Sequence, residues 1–249
     1  MRNIKLTIEY DGTAYSGWQV QKNKKTIQET TELTLKKLFK ENIKLAGSGR
    51  TDAGVHAIAQ AANFKIKHAI PPEKLQKALN SALPKDIIIT GAELAGNDFH
   101  ARFSAKSKVY RYTILNQPYP SAFLRNKALF CPYKLNIAAM RREAKALIGR
   151  HDFRSFCVTA CAKKNTIRTV KRVEIKKRLL DGRYSVIECI IEADGFLYNM
   201  VRSITGTLLE AAKLRMPEGG IRKILMKKNR AFAGPTLPAK GLCLMEVKY

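Results

Sequence analysis

A chain of 249 residues that is 45% hydrophobic is long enough for one large core or two smaller ones, which excludes a disordered protein. Its 46 Lys and Arg against 20 Asp and Glu give a formal net charge of +26. A field of that sign draws polyanions, nucleic acid first and an anionic membrane surface second, unless the charge only reflects a basic proteome.

No apolar run approaches the roughly 20 residues that span a bilayer. Met1 to Leu6 reads as a strand and not as a signal peptide, so a cytoplasmic protein is expected. The five cysteines, Cys131, Cys157, Cys161, Cys189 and Cys243, are odd in number, and reduced thiols are expected. Cys157 and Cys161 have the spacing for a metal on a helix, but no second Cys/His pair completes a ligand set.

Asn3 to Tyr10 alternates as a strand and ends at the Asp11-Gly12 turn. Thr26 has the signature of an N-cap, with Glu29 completing a capping box. The helix that follows runs to about Lys40, with Ile27, Leu35, Leu38 and Phe39 on its buried side. Strands follow over Ile43 to Ala46 and Ile58 to Ile66. Pro71, Pro72 and Glu73 open a helix to about Leu83, and Ile87 to Leu94 is a strand. The order strand, helix, strand, strand, helix, strand is the split βαβ pattern of a ferredoxin-like unit.

The second part repeats the pattern loosely. Lys108 to Leu115 is a strand, and Asn136 caps a helix to about Ile148. Val170 to Lys177 and Tyr184 to Ala193 form an antiparallel pair around Asp181-Gly182. Met200 to Leu214 is a helix, and Leu242 to Val247 closes the chain as a strand. The fold class expected is α+β, with halves 1–104 and 105–249 sharing an extended, mainly antiparallel sheet.

The segment Gly49-Arg50-Thr51-Asp52-Ala53-Gly54-Val55-His56 joins two of these strands. Its glycines permit tight turns and close approach to a ligand, and Arg50 favours an ionised Asp52. An ionised carboxylate is a nucleophile or a base; the plainer reading is an aspartate satisfying an ordinary turn. Tyr10 to Gln21 places Tyr15 and Trp18 in a Gly-containing loop, either packed on itself or stacking near RNA. Tyr110 and Tyr112 share one face of their strand, as a core face or as a base-stacking face. Arg202 falls in the first turns of a helix, as a solvated cation or as a bidentate partner for a carboxylate or phosphate.

YDGTAYSGWQVQ, GRTDAGVHA, DFHARFSA running on to YRY, HDFRSF, DGFLYNMVR and AGPTLPAKGL occur in this order over nearly the whole chain. Together they resemble the tRNA pseudouridine synthase A family. The resemblance implies the pseudouridine synthase fold, with an active-site cleft between two ferredoxin-like halves. It also implies isomerisation of uridine in the anticodon arm of tRNA, at positions 38, 39 and 40, by a homodimer that uses no cofactor and no metal. Carried over residue by residue, it makes Asp52 the catalytic residue and gives Arg50 the opening of the stem-loop. Tyr110 would pack on the target uracil, and Arg202 would pair with the catalytic carboxylate. The stretch Cys157 to Asn165 fits the family less tightly, so no role passes to its cysteines.

Three rivals are distinguishable. A non-enzymatic RNA-binding module would explain the charge but give Asp52 nothing to do. A methyltransferase using Cys157 or Cys161 would need a nucleotide-binding Gly loop after a parallel strand, and none is present. A metal-dependent nuclease would need clustered acids, whereas the acids here are scattered.

Overall fold

The computed structural model describes residues 1–158 and 165–249. In chain order its strands and helices are β1 (Arg2–Tyr10), α1 (Ile27–Phe39), β2 (Ala46–Gly47), β3 (His56–Ile66), α2 (Pro72–Ala82), β4 (Ile87–Ala95), β5 (Ser107–Leu115), β6 (Leu129–Phe130), α3 (Ile137–Ala144), β7 (Gly149–Asp152), β8 (Ile167–Leu180), β9 (Tyr184–Ala193), α4 (Met200–Ala212), α5 (Gly220–Lys227) and β10 (Leu242–Lys248). They fall into two compact units, residues 1–106 with 243–249, and residues 107–242. The class is α+β.

In the first unit β1 pairs antiparallel with both β3 and β4, and β2 pairs antiparallel with β3. The resulting order β4-β1-β3-β2 is that of a ferredoxin-like sheet. Alternation in β1 turns Ile4, Leu6 and Ile8 inward, all fully buried with Ile27 and Leu35 of α1 and Leu75 and Leu79 of α2. The Thr26 side chain accepts the Glu29 N–H at 3.4 Å and starts α1; Lys40 ends it in the left-handed region at φ 57°.

Two expectations for this unit need correction. Leu38 is 37% exposed. It keeps the azimuth of Ile27, but it lies in the last turn, and periodicity does not say how far along its axis a helix is covered. The strand expected over Ile43 to Ala46 is reduced to Ala46–Gly47. Ile43 and Leu45 are buried, yet the Leu45 N–H goes to the Glu32 carboxylate at 2.9 Å and not to a neighbouring strand.

The closing strand also departs from expectation. Cys243 to Tyr249 belong to the first unit, where β10 runs parallel to β3 with Cys243 opposite His56. Assigning everything after residue 104 to one half misses this, because chain position does not identify the partner of a terminal strand.

In the second unit β5, β9, β8 and β7 form an antiparallel series, with β6 parallel to the end of β5. The β8–β9 hairpin closes through Asp181 at φ 51° and Gly182 at φ 65°. Positive φ at both positions is what a type I′ turn requires, and it matches the twist of the flanking strands. Tyr112, Ile114, Cys189 and Ile191 of this sheet are buried, as are Met140, Ile204 and Leu208 of the helices. The four described cysteines are all buried thiols, and burial pushes Cys189 up to about 12. Cys161 lies outside the described residues. Among the described residues no helix is long and apolar enough to cross a membrane.

Helix α5 was not anticipated from the sequence, and a distant carboxylate secures it. Glu143 of α3, 5% exposed, accepts the Gly219 N–H at 2.7 Å and the Ile221 N–H at 3.0 Å. It thus satisfies two orphan donors at the start of α5. Glu143→Ala is expected to cost about 1–3 kcal/mol, read as a lower urea midpoint, because both donors lose their acceptor.

Candidate active site

The segment between β2 and β3 is held at both ends. At its entry the Ser48 N–H donates to Ala61 O at 2.7 Å and the Ser48 hydroxyl donates to Gln60 Oε1 at 2.6 Å. The Gln60 Nε2 then donates to Gly49 O at 3.1 Å, and Gln60 is itself fully buried. At its exit the Val55 N–H donates to Asp52 O at 3.1 Å. That bond closes a four-residue turn with Gly54 third, at φ 78°, the position where a type II turn demands positive φ.

The loop after β1 forms the bed of this segment. The Trp18 N–H donates to Thr51 O at 3.0 Å, and the Gly54 N–H donates to Tyr15 O at 3.3 Å. The Tyr10 hydroxyl and Thr51 Oγ1 are hydrogen-bonded at 2.8 Å. Burial raises the Tyr10 phenol well above its usual range, so it stays neutral in this bond. The Gly12 N–H donates to His56 Nδ1 at 3.1 Å, with Asp11 Oδ1 3.2 Å from the same nitrogen.

Backbones in this bed pack with no room for side chains. A Cβ on Gly17, at φ 93°, would lie 2.5 Å from Thr51 O and 3.1 Å from the Asp52 carbonyl carbon. A Cβ on Gly12 would collide with the Val55 carbonyl, and one on Gly47 with the Trp18 indole. Tyr15 and Trp18 are each 3% exposed. Of the two readings of this aromatic loop, the structure supports the packed one: both rings are buried, with the Trp18 indole against Gly47 and the Tyr15 hydroxyl donating to Asp86 Oδ1 at 2.7 Å. The sequence signal was the pairing of aromatics with glycines, but it did not tell which partner they packed against.

On this bed Thr51 is buried, Asp52 is half-buried and Arg50 is exposed. The arrangement presents a carboxylate from a backbone fixed on both sides. Preorganised groups of this kind reduce what must be reordered during a reaction. Asp52 and Arg50 therefore share one loop of the first unit.

Tyr110 and Arg202 belong to the second unit. Tyr110 sits on β5 opposite Ile191, is 7% exposed, and meets the Phe196 ring edge-on at 5.1 Å and 84°. Arg202 is in the first turn of α4. Its Nε donates to Leu237 O at 2.6 Å, and a terminal nitrogen donates to Asn199 Oδ1 at 2.6 Å. Asn199 caps that helix from the left-handed region at φ 61°.

The segment from Gly234 to Gly241 carries a structural role that sequence reading missed. The Gly234 N–H donates to Thr207 Oγ1 at 2.8 Å, and the Tyr112 hydroxyl donates to Pro238 O at 2.8 Å. A Cβ on Gly206 would strike the Pro235 carbonyl, and one on Gly241 would lie 2.6 Å from the Tyr112 ring. This strap over α4 and β5 explains why Gly and Pro punctuate it, and it supplies the Leu237 carbonyl that aims Arg202. Among the described residues no group of three or more His, Cys, Asp or Glu is placed to hold a metal ion.

A family model described as tRNA pseudouridine synthase matches residues 6–104 and 144–249. The tRNA pseudouridine synthase A of Caldicellulosiruptor bescii is 49% identical over 249 residues, covering all of both chains. The proteins of the same name from a Thermoanaerobacter species and from Clostridium acetobutylicum are 46% and 45% identical, again over the whole of both chains. This chain belongs to the tRNA pseudouridine synthase family.

Proposed function

We propose that this protein isomerises uridine to pseudouridine in the anticodon arm of tRNA, with Asp52 as the catalytic carboxylate. The observation that carries the reading is the Asp52 loop: a half-buried aspartate on a fixed backbone, within a chain 49% identical from end to end to a tRNA pseudouridine synthase A. The reaction breaks the N1–C1′ bond, turns the base and forms a C5–C1′ bond. The C5 proton leaves and N1 gains one, so atoms and electrons balance within the nucleoside. A carboxylate beside the sugar and base serves by attacking C1′, by attacking C6 or by removing the 2′ proton.

The target uridine must leave its stack, at a cost of a few kcal/mol. We assign Tyr110 to the uracil, since base–aromatic stacking returns about 1–3 kcal/mol. Arg50, exposed on the same loop as Asp52, is assigned to the opened stem-loop. Arg202 is assigned as the cation that favours the ionised carboxylate. The substrate positions are taken as 38, 39 and 40, the acting species as a homodimer, and the compartment as the cytoplasm, where tRNA is met.

The test is release of tritium from tRNA labelled at uridine C5. Turnover of tritium with pseudouridine appearing at those positions supports the reading. Tight tRNA binding with no release leaves an RNA-binding module instead. The net charge of +26 adds a second expectation. The logarithm of the tRNA binding constant should fall linearly and steeply with the logarithm of salt, losing about 10³-fold or more between 50 and 200 mM. Filter binding checks this, and a flat response would remove phosphate contacts as the source of affinity.

A further inference from the structure

The segment 96–104, which follows β4, has no part in the roles assigned above. It is built on buried amides. Asn3 Nδ2 donates to Gly96 O at 2.8 Å and to Phe99 O at 2.9 Å, and Asn63 Nδ2 donates to Asn3 Oδ1 at 2.9 Å. Asn63 Oδ1 accepts the Ala101 N–H at 2.8 Å, and the Tyr249 hydroxyl donates to Ala101 O at 2.8 Å. Asn3 and Asn63 are 2% and 5% exposed. The turn itself closes through the Ser104 N–H to His100 O at 2.9 Å and the His100 N–H to Ser104 Oγ at 3.1 Å. Buried amides are tolerated only when fully paired, and a network so paired fixes one conformation.

What this rigid turn displays is a ring in water. Phe103 is 76% exposed. The His100 ring lies behind it at 4.4 Å, and the Arg102 guanidinium carbon is 5.5 Å from its centroid. His100 Nδ1 accepts the Arg102 N–H at 3.1 Å, which fixes the imidazole beside the ring. A presented aromatic face with a cation at its side is the composition that stacks on unpaired bases. The neighbouring Asp98 is the one acidic side chain on the segment, against a chain carrying +26 overall, so a polyanion fits better than a protein partner.

We infer that Phe103, with His100 and Arg102, is a stacking platform for an unpaired base of the tRNA other than the base being isomerised. This rests on the tRNA reading above. The platform has its own anchor on β3: His56 adjoins the exit of the Asp52 loop, whereas Asn63, which holds the platform, lies seven residues farther along the same strand. Those two anchor points are thus roughly 20 Å apart at the rise of a strand.

The test compares Phe103→Ala, Phe103→Tyr and Phe103→Trp, all at an exposed position where the fold should tolerate each. Phe103→Ala should weaken tRNA binding roughly 5- to 100-fold, while Tyr and Trp stay within about two-fold of the parent. In Phe103→Trp the new indole is exposed and Trp18 is 3% exposed. Its emission should be quenched by tRNA and not by a fully paired RNA duplex. Unchanged affinity in Phe103→Ala, or equal quenching by duplex, overturns the inference. Unchanged affinity with lowered self-association in sedimentation also overturns it and assigns the ring to a second copy of the chain. Tritium release by the parent protein is measured alongside. Release with normal binding by Phe103→Ala removes only the platform. No release by the parent removes the proposed function, while quenching still judges the platform.

Discussion

Asp52→Asn is expected to lower tritium release from C5-labelled tRNA by at least about 10⁴-fold while tRNA affinity stays within a few-fold of the parent. The substitution separates the proposed catalytic role of this residue from its place in the turn. Asp52 is the first residue of the turn closed by the Val55 N–H, and Asn is as well suited as Asp to that position. The backbone bonds from Trp18 to Thr51 and from Gly54 to Tyr15 do not involve the carboxylate and should persist. The substitution removes the negative charge and turns one acceptor oxygen into an N–H donor, leaving the backbone unchanged. A variant with near-normal turnover would make Asp52 a turn residue and end the catalytic assignment. A variant that loses turnover together with thermal stability would point to the turn. The expected pattern is a full-height melting transition, retained binding and no turnover.

Local chemistry was legible where a residue's neighbours in sequence decide its state. Thr26 caps α1, Pro72 opens α2 and Asp181-Gly182 closes the long hairpin, each at its expected place. The pairing of strands β1 to β4 in the first unit followed from element order alone. What escaped was set by residues far apart in the chain. Glu143 secures a helix that begins 77 positions later, counting from residue 143 to residue 220. Glu32 takes the N–H of Leu45 and so shortens β2. The closing strand joins β3 because of a pairing that no local pattern encodes. The site shows the same split. GRTDAGVHA marked Asp52, but physics alone left it beside an ordinary turn. Only the packing of Gly12, Gly17 and Trp18 beneath the loop distinguishes a presented carboxylate from a decorative one.

That packing can be tested by Gly17→Ala, for which a loss of turnover of about 10²-fold or more is expected, with a stability cost of about 1–3 kcal/mol. Two effects combine. The backbone at φ 93° strains any side chain, and the new Cβ would stand 2.5 Å from Thr51 O and 3.1 Å from the Asp52 carbonyl carbon. Both contacts are with backbone, so relief must come from moving the Asp52 loop or the bed, not from swinging a flexible side chain. Gly182→Ala is the matched control. It also has positive φ, at 65° in the left-handed region where strain is milder, but nothing lies within 4 Å of its Cβ. Strain alone should therefore lower its melting temperature and leave turnover intact. If turnover falls equally in both variants, or in neither, close approach of Gly17 to Thr51 and Asp52 is not what positions the carboxylate. If it falls in Gly17→Ala alone, while tRNA affinity is preserved, the glycine in the loop after β1 acts on the reaction through the backbone of a residue 35 positions away, counting from residue 17 to residue 52.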